Sequence, residues 1–262
     1  MTHEEANGYT ILRAVVGSRG LGLETPESDI DEMGVVIEPL HEAVGLSAPF
    51  EQFVRTGPEK TREGPDLQLY GLRKFLRLAL SGNPTIVTLL FVPSQFIVKL
   101  DARGAQLMDL APQIVSKQAG KAFLGYMQAQ RQRLTGQRGQ KRCTRPELVA
   151  AHGYDTKYAM HILRLGMQGV ELLETGRLEL PMVPHKQDML LQVRSGGFPL
   201  QEILTMAGEL EAKLKDLMDS PSTLQEKPDS TTVEAWMLRT YLNTWKAMEP
   251  PLFAKSPYLD GV

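Results

Sequence analysis

Two aspartates separated by a single residue are the feature of this sequence with the clearest chemical meaning. Asp29 and Asp31 flank Ile30, and on an extended backbone residues two apart point to the same face. The spacing therefore predicts that both carboxylates aim together while Ile30 enters the core. Adjacent carboxylates repel each other, and a bound divalent cation removes that repulsion. Because hard oxygen ligands favour Mg²⁺ or Mn²⁺, the pair predicts a metal site for one of these ions.

A Gly-Ser turn lies shortly before this pair and follows an apolar, β-branched segment. Gly17 allows the backbone to approach a phosphate closely, and N–H groups at a following helix start can bind it. Ser18 adds a hydroxyl group, and Arg19 adds a planar charged donor. We therefore expect the turn formed by these three residues to bind a nucleotide phosphate beside the metal.

A third carboxylate is needed to complete a site for two metals. Asp66 fits best, because it opens an alternating polar and apolar segment, residues 66–70, that predicts a half-buried strand with its leucines toward the core. Glu63 and Asp101 are the alternatives. An aspartate that opens a strand is also common as a plain surface residue.

This arrangement resembles the signature of nucleotidyltransferases of the DNA polymerase beta superfamily, in the small, minimal form of that group. The signature is a strand, Gly-Ser, about ten residues, Asp-x-Asp and an acid on a later strand. Residues 70–91 further resemble a branch of predicted nucleotidyltransferases named for association with RNA repair. The similarity is closest over residues 10–92, extends less closely over 120–180, and is not visible beyond about residue 200.

The resemblance implies a reaction and assigns residues to it. Asp29 and Asp31 would hold one metal on the triphosphate of an NTP, with ATP among the candidates, and Asp31 and Asp66 a second beside the acceptor hydroxyl. Two such metals clamp the attacking and leaving oxygens of an in-line displacement. A nucleoside monophosphate would be transferred and pyrophosphate released.

A helical segment supplies further candidates for contact with the nucleotide. Lys157, His161 and Arg164 fall at i, i+4 and i+7, on one face of one predicted helix, and this segment also resembles the RNA-repair branch. Two bases and a histidine on one stripe predict contact with the triphosphate or the acceptor. The alternative is a solvated stripe with one hydrogen-bonded histidine.

The charge distribution bears on the acceptor. The formal net charge is −2, yet residues 111–146, here called the basic block, contain no acid. Its eight cations are Lys117, Lys121, Arg131, Arg133, Arg138, Lys141, Arg142 and Arg145. A run of charges of one sign can bind a polyanionic partner, pair with an acidic surface elsewhere in the fold, or simply be solvated. We expect an RNA or tRNA end as acceptor. The alternatives are a protein or small-molecule hydroxyl, or an inactive module that only binds nucleotide or RNA.

The elements that must position these residues follow from hydrophobic patterning. Strands are predicted at 10–16, 33–37 and 66–70, a loop at 40–65 and a helix at 72–80. Helices are then expected from Ser116, as a capping residue, to about 137, from 156 to 175 between Asp155 and Gly176, and at 200–218 and 233–248. The expected fold is α+β, with a nucleotidyltransferase domain (a mixed sheet with flanking helices) over residues 1–100 and a mainly helical domain over 101–262.

Composition limits the remaining possibilities. The chain has 262 residues, 42% of them hydrophobic, and one cysteine, Cys143, so an internal disulfide and a Cys-based zinc site are excluded. No apolar run approaches the ~20 residues of a membrane span, and the first residues carry no apolar leader. We expect a cytoplasmic protein with no membrane partner; the base, the acceptor and the oligomeric state remain open.

Overall fold

A single mixed sheet carries the residues of interest. The computed structural model describes residues 8–46, 49–55, 65–136 and 145–248. Within them five strands lie in the order β3-β4-β2-β1-β5. They are β1 (Thr10–Val16), β2 (Asp31–Val36), β3 (Gln52–Arg55), β4 (Asp66–Gly71) and β5 (Ile97–Leu100). β2 and β4 are parallel, and the other neighbouring strands are antiparallel.

The α-helices of the described residues lie between and after these strands. They are α1 (Gly17–Leu21), α2 (Leu40–Val44), α3 (Leu72–Leu80), α4 (Pro84–Leu89), α5 (Ala102–Asp109), α6 (Ala111–Ile114), α7 (Gln118–Leu134), α8 (Pro146–His152), α9 (Thr156–Thr175), α10 (Pro184–Arg194), α11 (Leu200–Asp219) and α12 (Ser230–Met248). The fold is α+β, and the expected order of a mixed sheet followed by helices is confirmed.

Both faces of the central strands are buried. On one face, Met33 and Val35 join a large apolar cluster with residues of α3 to α6 and α12. On the other, Leu67 and Leu69 pack with Val36 and half-buried aromatic side chains. Alternating residues of β2 and β4 therefore enter opposite cores, which fixes the pairing register, because a slip of one residue would exchange the two faces.

The second apolar cluster belongs mainly to the later helices. α9 runs through its centre against α7, α10 and α11. As predicted, α9 begins after Asp155, whose carboxylate accepts from the backbone N–H groups of Lys157 and Tyr158, and it ends at Gly176 in the left-handed conformation. Leu21 and Val87 extend this cluster to α1 and α4, so the helices pack against the sheet end that carries the Gly-Ser turn.

Three local predictions need correction. Residues 40–65 were expected to form a loop, but they include α2 and β3, an edge strand whose Phe53 is half-buried against the apolar face of β4. α7 begins at Gln118 without a side-chain cap, so Ser116, itself buried, is not the capping residue. β2 begins at Asp31 rather than 33, because Asp31 already pairs with both neighbouring strands.

The last helix returns to the sheet. Val233, Trp236 and Tyr241 of α12 are part of the same apolar cluster as β1 and β2. The Tyr241 hydroxyl donates to the buried Glu38 at 2.6 Å and accepts from the backbone N–H of Arg73 at 3.1 Å. A domain boundary near residue 100 stays a prediction. Residues 230–248 nevertheless complete the apolar core of the predicted first domain.

None of the helices in the described residues is both long and apolar enough to cross a bilayer.

Candidate active site

Two of the three predicted carboxylates lie side by side at one end of the sheet. Asp31 is the first residue of β2 and Asp66 the first residue of β4, and the two pair directly in the parallel ladder. The Asp66 N–H donates to the Ile30 carbonyl at 2.9 Å, so the two chains are held together at this point. Paired residues of parallel strands point to the same face, so both carboxylates are presented together.

The Gly-Ser turn meets this pair from the neighbouring strand. Val16, at the end of β1, pairs with Asp31, and the chain then turns into α1. Gly17 has φ +63°, and a Cβ there would overlap the Asp31 carboxylate. Glycine at this position therefore provides the space that Asp31 occupies, and its positive φ is unfavourable for other residues.

Asp29 and Ile30 lie outside the strand, which corrects one prediction. The ladder starts at Asp31, so the alternation that was expected to bury Ile30 does not reach it, and its side chain is 43% exposed. Asp29 is also exposed and interacts electrostatically with Lys157. The structure thus brings Asp31 and Asp66 together and leaves Asp29 at the rim, where its role as a metal ligand stays a prediction.

A cavity of about 350 Å³ lies above the two carboxylates. It is bounded by the end of β1, the start of α1, parts of β2, β3 and β4, the polar face of α4 and one side chain of α9. Its polar lining residues are Asp31, Glu32, Arg55, Asp66, Gln68, Thr85, Thr88 and Arg164. The volume is in the range of small-molecule sites. Its carboxylates and its two arginines, Arg55 and Arg164, suit an anionic ligand that is bound partly through a metal cation.

Arg164 brings to this cavity a cation that pairs with none of the carboxylates in the described part of the chain. Its Nη2 donates to His161 Nδ1 at 2.8 Å, and its Nη1 donates to Gln168 Oε1 at 2.8 Å. Within the described residues no carboxylate forms an ion pair with Arg164. Burial lowers the pKa of Arg164 to about 10, which leaves it charged at neutral pH.

His161 is a half-buried, neutral partner of this arginine. Burial and the adjacent Arg164 lower the pKa of His161 to about 3. The ring therefore stays unprotonated at neutral pH, and Nδ1 must be the acceptor, since arginine has only donors. His161 supports the predicted contact residue Arg164 rather than lining the cavity itself.

Lys157 belongs to a different group of cations at the start of α9. Burial lowers the pKa of Lys157, and nearby Arg194 and Arg145 lower it further. Arg145 pairs with Asp155 at 3.0 Å and lies over the Tyr158 ring at 5.2 Å. Arg194, at the end of α10, was not singled out from the sequence. It lies 37 residues after Lys157 in the chain, and no local pattern indicates that the two are close.

Ser18 and Arg19 are half-buried in α1. Arg19 Nη2 donates to the Ser28 carbonyl at 3.3 Å, which ties α1 to the segment leading into Asp29. The structure therefore places Arg19 as a support of the turn, and phosphate contact by Ser18 or Arg19 stays a prediction. Gly17 alone of the three borders the cavity.

The residues present fit a divalent cation held in part by substrate. Within the described residues, no three His, Cys, Asp or Glu side chains assemble into a metal cluster. Glu32 borders the cavity but pairs with Arg13, and Asp101 caps α5 by accepting from the backbone N–H groups of Arg103 and Gly104. Two neighbouring carboxylates suit Mg²⁺, which is usually bound by one or two carboxylates with water and substrate phosphates. The alternative Glu63 lies outside the described residues.

Several cations of the basic block are already paired with acids. Lys117 pairs with Glu226 at 2.7 Å, and Arg131 pairs with Glu211 at 3.2 Å. Arg145 pairs with Asp155 as described above. Lys121 and Arg133 line a shallow depression on α7, whereas Arg138, Lys141 and Arg142 lie outside the described residues. The described part of the block is therefore less available to a polyanion than its sequence indicates.

Comparisons with known proteins cover most of the chain. A family model, RlaP, described as RNA repair pathway DNA polymerase beta family, matches residues 1–239. An uncharacterized 38.9 kDa protein in the nrdC-mobD intergenic region of Enterobacteria phage T4 is 27% identical over 127 residues. That alignment covers 46% of this chain and 37% of the phage protein. No solved structure gives a significant match.

Sequence reasoning missed the polar face of α4 and one buried amide. Thr85 and Thr88 line the cavity three residues apart on α4, and Gln168 continues the Lys157 stripe by one further turn. The signal for Gln168 was available as the i+4 neighbour of Arg164. No comparable signal existed for the threonines, because spacing does not distinguish Thr85 and Thr88 from the other polar residues within 70–91.

Proposed function

Because this chain belongs to the RNA repair pathway DNA polymerase beta family, a group of nucleotidyltransferases, we propose that it transfers a nucleoside monophosphate from an NTP to the terminal hydroxyl of an RNA or tRNA. The observation that carries this proposal is the pairing of Asp31 with Asp66 beneath a cavity that is also lined by Arg164. We also propose the cytoplasm as its location, as its lone cysteine favours.

Asp31 and Asp66 are the proposed holders of Mg²⁺ or Mn²⁺, with Asp29 joining from the rim. When bound, the cation neutralises phosphate charge and favours ionisation of the acceptor hydroxyl. Gly17 keeps the space that the Asp31 carboxylate requires. The close pairing of β2 with β4 holds the two carboxylates in fixed relative positions, so little reorganisation is needed at the moment of reaction.

Arg164 is the proposed contact for the triphosphate, because a guanidinium can donate two parallel hydrogen bonds to phosphate oxygens. Ser18, Arg19, Lys157 and His161 complete the predicted nucleotide-binding set, His161 acting through Arg164. In the proposed reaction the acceptor oxygen forms a bond to the α-phosphorus and the bond to the pyrophosphate oxygen breaks. The acceptor proton leaves to solvent or to Asp66.

The acceptor is tested directly by incorporation of label. Each of the four NTPs, labelled on the α-phosphate, is incubated with Mg²⁺ and either total RNA or lysate protein, with the Asp66→Asn variant as the matched control. Label in RNA that depends on Asp66 supports the proposal. Label confined to protein or to small molecules would replace RNA by one of the alternative acceptors. No transfer from any NTP, with nucleotide still bound, would indicate a binding module.

A further inference from the structure

The guanidinium of Arg164 is held by two neutral acceptors. Gln168 Oε1 and His161 Nδ1 each accept one hydrogen bond at 2.8 Å, from Nη1 and Nη2 respectively. Buried arginines are ordinarily paired with a carboxylate, because an unpaired buried charge is strongly unfavourable. Here the position is fixed, while no carboxylate of the described residues pairs with the positive charge.

Gln168 accepts the hydrogen bond from Arg164, but its own amide nitrogen has no partner among the described residues. Its side chain is 2% exposed, and within the described residues its Nε2 has no hydrogen-bond partner. Rotating the amide would satisfy nothing, since it would place Nε2 against the donor-only guanidinium. A buried unsatisfied donor is rare in proteins and commonly accompanies a functional constraint.

We propose that Gln168 and His161 are positioning residues that present Arg164, with its full charge, to a polyphosphate in the cavity over Asp31 and Asp66. The choice of polyphosphate as the anion rests on the proposed function. Neutral acceptors orient both Nη groups without neutralising them. Each guanidinium nitrogen group keeps further donors, and Arg164 lines the cavity. A glutamate at 168 would orient the same guanidinium equally well and remove its charge from the ligand.

This contrast gives a test that separates positioning from packing. Gln168→Glu keeps the size and the acceptor of the side chain but adds a counter-ion. We expect inorganic triphosphate to bind the Gln168→Glu protein at least about tenfold more weakly, as measured by calorimetry. The added carboxylate offsets the charge of Arg164 and so weakens its charge-assisted hydrogen bonds to the ligand. Thermal stability should be unchanged or raised. Gln201→Glu, an exposed position on α11, adds the same charge away from the cavity and should leave binding unchanged.

A second matched pair keeps the test valid if Gln168→Glu does not fold. His161→Asn retains a neutral acceptor and should preserve triphosphate binding, whereas His161→Asp should weaken it about as much as Gln168→Glu. Equal affinity across the charged and neutral variants, or wild-type protein that binds no triphosphate with or without Mg²⁺, would overturn the inference. Binding that responds as expected, without nucleotidyl transfer on any acceptor, would instead refute the proposed function and leave this inference standing.

Discussion

At the scale of single residues, the carboxylate pair is the proposed centre of the molecule's chemistry. Asp31 and Asp66 are brought together by strand register, and Gly17 leaves room for the first of them. Their mutual repulsion is relieved when a cation binds, so each carboxylate is expected to oppose folding slightly and to favour metal binding strongly. Loss of one carboxylate should therefore lower activity without lowering stability.

We expect Asp31→Asn to reduce nucleotidyl transfer by about a thousandfold or more, since positioned charge is usually the largest contribution to such catalysis. The apo protein should melt at the same or a higher temperature, because one carboxylate no longer repels the other. Turnover and thermal unfolding are measured together, with and without Mg²⁺. Mg²⁺ with NTP should stabilise the wild type and not the variant. Glu24→Gln, an exposed neighbour of the same segment, is the control; near-normal turnover in Asp31→Asn would contradict the assignment.

His161 should make the free energy of unfolding depend on pH. Its pKa is about 3 in the folded protein against an ordinary 6.5. Between these values the unfolded chain holds one more proton on this ring, so stability rises with pH through the window and is lost as the pH falls. The slope is at most about 1.4 kcal/mol per pH unit.

Urea unfolding between about pH 4 and 7 measures this slope. His161→Asn should flatten it, whereas His185→Asn, at an exposed position, should not. A slope that is the same in wild type and in His161→Asn would show that the ring titrates normally in the folded protein.

At the scale of elements, α12 is the segment that connects the end of the described chain to the sheet. Glu38 is only 3% exposed, and burial raises its pKa. It accepts from Tyr241 and from the Leu72 N–H, and its backbone carbonyl accepts from Trp245 Nε1 at 2.8 Å. These bonds fix α12 against β2 and the start of α3, so α12 stabilises the strand that begins at Asp31.

Replacing Tyr241 by phenylalanine should lower the free energy of unfolding by about 1–3 kcal/mol. The change leaves the buried Glu38 and the Arg73 N–H each without one partner, and such losses carry the full desolvation penalty. Chemical denaturation measures the difference. Tyr126→Phe, which removes an exposed hydrogen bond to Asn83, is the control and should change stability by no more than about 0.5 kcal/mol. Equal effects in the two variants would refute the special role of the buried bond.

At the scale of the whole molecule, the question is whether the basic block binds RNA. If four to six of its cations contact phosphates, the log–log slope of affinity against salt should be about −3 to −4 on a single strand. Replacing Arg138, Lys141 and Arg142 together by Gln should flatten the slope by about two units and leave nucleotide binding intact. Filter binding across a salt series measures this.

The ion pairs of the structure supply the control. Arg131→Gln removes a cation that is already paired with Glu211, so it should alter thermal stability more than the salt slope. Wild-type protein that binds no RNA at low salt would favour a protein or small-molecule acceptor. Loss of stability in the triple variant, with an unchanged slope, would show that these cations are structural.

Several local elements followed from short-range patterns in the sequence. β1, β4, α3 and α9 were predictable because apolar periodicity, Asp155 and Gly176 act within a few residues of one another. Gly17 and Asp31 could be singled out as candidates from residue types and local spacing. Asp66 was a candidate because it opens an alternating segment and because the family resemblance calls for an acid on a later strand. Ile30 was misplaced because alternation holds only inside a strand, and pairing begins one residue after it.

Tertiary structure alone decided which residues meet. The register of β2 with β4 brings Asp31 beside Asp66 and leaves Asp29 at the rim. Packing of α9 against the sheet end turns Arg164 into a wall of the cavity, held by His161 and Gln168. Contacts between residues distant in the chain form when the apolar clusters are buried together. No pattern within a few residues of sequence encodes those contacts.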